Sequence, residues 1–143
     1  VFSLYRGYGA VVYREYIQRV IAQILGDDRT ITTSLPSTAR ISLNRQTGER
    51  RHVLHLLYAN TISRGGKVHL SGGNLETTGA SIEVIEDLLP LVDVSVHLHG
   101  LPKITRITLE PSGEEIPFTM KDGKILLSVP RFICHQMLAL HEE

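Results

Sequence analysis

The chemistry this chain could carry is concentrated in its histidines, its one cysteine and a few clustered acids. In "RRHVLHLLYAN", His52 and His55 stand three positions apart in an apolar run. On a helix such a pair shares a face and could chelate a metal, whereas on a strand the rings point to opposite faces and cannot. In "DVSVHLHG", His97 and His99 are two apart, which puts both imidazoles on one face of a strand, an arrangement zinc sites can use with a third ligand. "FICHQM" joins Cys134 to His135, a thiol beside a base. "SIEVIEDLLPL" gathers Glu83, Glu86 and Asp87, and glycosidases work through paired acids. Two glycine-rich stretches, "GGK" at residues 65–67 and "SGGN" at residues 71–74, match no phosphate loop that enters a helix.

Which of these pairs can act together depends on the elements that hold them. Val12, Tyr13, Tyr16, Ile17, Val20, Ile21, Ile24 and Leu25 recur at helical spacing, with Arg14, Glu15, Gln18, Arg19 and Gln23 on the other side. An amphipathic helix is expected there, closed by Gly26. Beyond it the period drops to two. "RTITTS", "ARISLNRQ", "RHVLHLLYA", "DVSVHLHG", "ITRITLEP", "EIPFTMKDG", "KILLSVP" and "QMLALHE" are strand candidates, separated by breakers that include Pro36, Gly48, Gly100, Pro102 and Pro130. Asp122-Gly123 between two alternating runs is a hairpin signal. Residues 60–81, rich in Gly, Ser and Thr, read as a long loop with a short strand at residues 67–70. About eight short strands then predict a mainly β fold, an antiparallel β-sandwich preceded by one amphipathic helix.

On strands, the candidate sites sort themselves. His52 shares a face with Leu54 and Leu56, and His55 with Val53 and Leu57, so the HxxH chelate is excluded and both rings are expected to serve packing. His97 and His99 lie with Asp93 and Ser95 on the wetter face, opposite Val94, Val96 and Leu98. They are weak metal candidates without a recognisable third ligand, and a solvated face is the expected reading. Adjacent strand residues point apart, so Cys134 and His135 are not expected to form a nucleophile–base pair, and Cys134 is expected near the core. The three acids show no pairing and read as a polar rim before Pro90. No catalytic residue and no cofactor is expected in this chain.

Composition narrows the partners. With 143 residues the chain can bury a full core unaided. Fifteen Lys+Arg balance fifteen Asp+Glu, so the basic signature of a nucleic-acid or anionic-membrane binder is missing. No apolar run approaches the roughly 18 residues of a membrane span, and no Asn-x-Ser/Thr acceptor occurs. A single cysteine forms no internal disulfide, which is compatible with a reducing, cytoplasmic setting. A sugar-binding face needs aromatic platforms. There is no Trp, and the β-region holds only Tyr58, Phe118 and Phe132.

The phrases "SLPSTARISLNRQTGERRHVLHLLYA", "IEVIEDLLPLVDVSVHL", "ITRITLEPSGEEIPF", "DGKILLSVP" and "HQMLAL", in that order, resemble the C-terminal end of multidomain bacterial glycoside hydrolases similar to the β-galactosidases that carry a trimerisation domain. In such enzymes a catalytic barrel is followed by an α/β domain and a small antiparallel β-domain. The resemblance implies that residues 1–28 complete or contact the preceding α/β domain and that residues 29–143 form the C-terminal β-sandwich. It also implies a chain entered in the middle of a longer one, with the catalytic glutamates in the absent barrel. The expected function is therefore a non-catalytic accessory domain of a β-galactosidase-like hydrolase, making interdomain or homo-oligomer contacts. A carbohydrate-binding module is the alternative, and a small metal-dependent enzyme using His97 and His99 the third reading.

Overall fold

The computed structural model describes residues 5, 8–26, 28–71, 74–78 and 81–143, with the backbone alone considered for 67–71 and 74–78. The helix α1, Val11–Leu25, forms where the 3.6-residue period predicts it. It ends at Gly26, whose φ of 51° lets its N–H turn back to the Ala22 carbonyl. No residue of α1 is buried. Tyr13, Ile17 and Val20 are half-covered, while Val12, Tyr16, Ile21 and Ile24 stay exposed.

Two antiparallel sheets follow. One holds β1 (Ile31–Thr33), β8 (Pro90–His99), β12 (Lys124–Ile133) and β11 (Phe118–Lys121), in the order β1-β8-β12-β11. The other holds β2 (Arg40–Gln46), β3 (Arg51–Leu57), β9 (Ile104–Glu110), β10 (Glu114–Glu115) and β13 (His135–Glu142), in the order β10-β9-β13-β3-β2. This is the expected antiparallel sandwich behind one helix. One core joins the sheets. Leu54, Leu56, Leu138, Leu140 and Ile107 from the five-stranded sheet pack in the same cluster as Val94, Val96, Leu98, Ile125, Leu127 and Val129 from the other. Alternate residues supply it, as a half-buried strand requires.

Turn chemistry sets the local links. Asp122 and Gly123, with φ of 51° and 71°, close the β11–β12 hairpin between paired Lys121 and Lys124, the double positive φ of a tight two-residue turn. Cys134, with φ 62°, alone connects β12 in one sheet to β13 in the other. The expectation that it lies on a strand is therefore corrected. It is a corner residue, half-buried, and its carbonyl accepts the Tyr58 N–H at 2.7 Å.

Two further expectations fail. Pro130 does not end its strand, because β12 runs on to Ile133. Beyond Leu127 it has no β11 partner, the edge condition that a strand proline tolerates, and Pro130 lies opposite Asp93, whose φ of 50° interrupts the β8 register. Among the described residues of 60–81, most are in strands rather than loop. β4 (Ile62–Arg64) pairs with β7 (Ile82–Val84), and β5 (Lys67–Ser71) with β6 (Asn74–Thr78). Together they make a nested two-stranded arm, kinked at Gly65 and Gly66, that joins neither main sheet. The expected short strand at residues 67–70 is its second segment, β5.

Candidate functional site

The strand assignment of "RRHVLHLLYAN" decides its histidines. On β3, His52 turns to the core side, in register with Arg45 and Leu140, and is 7% exposed. His55 turns outward and is half-buried. The two rings lie on opposite faces, so they share no ion.

Each histidine instead meets residues far away in sequence. At the sandwich end, Arg45 donates from Nε and Nη2 to the two carboxylate oxygens of Glu142, at 2.9 and 2.8 Å. The Glu142 side chain is only 7% exposed, and this bidentate grip, with neighbouring His52 and Arg50, holds its carboxyl below the usual glutamate range. His52 Nδ1 lies 3.2 Å from Glu142 Oε1 but outside hydrogen-bond alignment. On the outer face, His141 sits in register between Arg51 and Arg106. Burial first, then those two cations, lower its pKa.

The second pair joins β3 to β13. His55 Nδ1 and His135 Nε2 are 3.0 Å apart, with ring planes 13° from parallel and ring centres 5.2 Å apart. That centre-to-centre distance exceeds the N···N distance by nearly the full span from each nitrogen to its own ring centre. The rings therefore meet edge to edge in one plane, and one nitrogen donates its hydrogen to the lone pair of the other. The shallow groove beside them, about 230 Å³, is lined by Arg40, Ile41, Ser42, His55, Leu57 and His135.

His97 and His99 do share the outer face of β8, beside Thr32 and Lys124. They border a cleft of about 60 Å³ that, among the described residues, also takes in Arg29, Thr32 and Lys124. Among the described residues, no group of three or more His, Cys, Asp or Glu is arranged to hold a metal.

Glu86 accepts two hydrogen bonds from Arg64, at 2.7 and 3.2 Å, so it braces the base of the arm. Glu83 stands on β7 and Asp87 in the following segment, both exposed, as a rim would have them. Of the aromatic residues in the β-region, Phe132 is buried in the core, Phe118 packs against it and Tyr58 is half-buried. The sugar-stacking platform thus has no exposed aromatic ring on the described strands.

Strand order, core and helix define a β-sandwich domain with a leading helix, its two sheets joined by one apolar core. No family model and no curated protein matches the chain. Among solved structures it is similar to α-L-fucosidase isoenzyme 2 from Paenibacillus thiaminolyticus, with 31% identity and a TM-score of 0.81 over 97% of this chain. The matched region is 19% of that enzyme, so the chain spans about a fifth of its length. The likeness thus falls on part of a glycoside hydrolase, in line with the expected class. It lends no support to the narrower β-galactosidase resemblance.

Proposed function

We propose that this chain is a non-catalytic, C-terminal accessory domain of a glycoside hydrolase. The observation that carries the reading is the likeness over 97% of the chain to a region making up 19% of a fucosidase. A deoxyhexoside such as an α-L-fucoside is the favoured substrate class of the parent, ahead of a β-galactoside. The work of the domain is structural. Residues 1–28 meet a preceding domain, and residues 29–143 form the accessory sandwich.

Exposed apolar residues support the contact role. They run along α1 and again through Ile82, Ile85, Leu88, Leu89 and Val92, from the base of the arm to the start of β8. An isolated two-stranded ribbon is marginal in water, so the arm also gains from a neighbour.

The test compares the purified chain with the full-length parent on nitrophenyl α-L-fucoside and nitrophenyl β-galactoside. The parent turns over one of them and the chain neither. Turnover by the chain that disappears on replacing one of its carboxylates would overturn the reading. A carbohydrate-binding role predicts a rise in melting temperature with sugar, and a flat response across fucosides, galactosides and plant polysaccharides removes it.

A further inference from the structure

From the outer face of the five-stranded sheet, we propose that His55, His135 and Met137 form a binding site for a soft monovalent d10 ion, copper(I) or its redox-inert analogue silver(I). The site is independent of the reading above. It lies on β3 and β13, away from His97 and His99.

Three observations converge. First, His55 Nδ1 and His135 Nε2 face each other across 3.0 Å, with the ring planes only 13° apart. The lone-pair axes therefore lie nearly on one line, the orientation a two-coordinate ion demands. Metal–imidazole bonds of about 2 Å each, as in zinc sites, require the nitrogens to separate by roughly 1 Å. His135 is exposed and has room to make that movement.

Second, the register places Met137 directly opposite His55 and two residues from His135 on the same strand. Cross-strand neighbours on one face have Cβ atoms roughly 5 Å apart, so the thioether is within reach as a third donor. Two imidazoles and a thioether make a soft set that suits copper(I) rather than magnesium, calcium or manganese.

Third, the two charged groups nearest the pair are of opposite sign. Arg40 lines the groove, and Glu110 lies in register beside Met137 on β9. No carboxylate is needed as a ligand for a singly charged ion. Binding displaces the hydrogen between the two rings, and the ring that gave it up carries a proton on its other nitrogen instead, so both imidazoles act as neutral ligands and no net proton is released.

Silver(I) titration tests the site in the Cys134→Ser chain, because a free thiol binds silver by itself. A melting curve first verifies that this chain folds, with Cys134→Ala as the second background. Imidazole 1H–15N spectra are expected to show His55 Nδ1 and His135 Nε2 shifting together and saturating at one equivalent. His135→Gln is expected to weaken binding at least tenfold, and Met137→Leu severalfold. Imidazole signals that do not move, or a saturating shift that survives His135→Gln, would overturn the site. Tighter binding of zinc(II) or nickel(II) than of silver(I) would overturn the choice of ion, and unchanged affinity in Met137→Leu would remove the thioether from it.

Discussion

Arg45 on β2 and Glu142 on β13 are 97 residues apart in sequence, yet their side chains lock together through two hydrogen bonds across the intervening strand β3. The pair ties the last strand to the edge strand of its sheet, with the His52 ring between them on the same face. Exposed ion pairs contribute little. This one differs in that its carboxylate is almost wholly covered while its guanidinium reaches water.

The Glu142 contact makes stability depend on acid. Its folded-state pKa lies below the ordinary value of 4.5, so the unfolded chain binds the proton more readily. The stabilisation is fully present above that value and is lost as the pH falls through the folded one. Thermal melts of wild type and Glu142→Gln are expected to differ at pH 7 and to converge toward pH 3. A gap that stays constant over that range would show that the contact does not act through its charge.

His141 acts in a higher window. Its folded pKa is lowered from 6.5 by burial and by Arg106 and Arg51, so its neutral form is the one the fold prefers. The associated stability is present above pH 6.5 and declines as the pH drops below it. His141→Gln is expected to flatten the fall in melting temperature between pH 7.5 and pH 5. An unaltered slope in the variant would sink the assignment.

The β11–β12 hairpin offers a test of turn chemistry isolated from packing. Gly123 holds a φ of 71°, and an added Cβ there would meet nothing within 4 Å. The effect of Gly123→Ala is therefore backbone strain alone, about 1–2 kcal/mol for a left-handed L-residue. Urea unfolding at neutral pH is expected to show the midpoint falling with its slope unchanged. A variant as stable as wild type would mean that the turn relaxes to another conformation.

What the amino-acid order determined by itself is local. The 3.6-residue stripe specified α1, because its apolar residues recur once per turn. The period-two runs specified β2, β3 and β9, and Asp122-Gly123 specified its hairpin, because positive φ is inexpensive for these residues. Strand geometry alone also separated His52 from His55. Tertiary structure decided the rest, for two physical reasons. Pairing between distant strands depends on register, which no short window of residues encodes. Arg45 with Glu142, and His55 with His135 at a separation of 80 residues, were therefore invisible until the sheet was assembled. Local composition also misleads where backbone pairing supplies the order. Ser63, Ser71, Thr77 and Thr78 belong to a loop-like composition yet stand on β4, β5 and β6, strands ordered by their backbone N–H and C=O groups. Pro130 continues a strand because its register partner Asp93 steps out of the ladder.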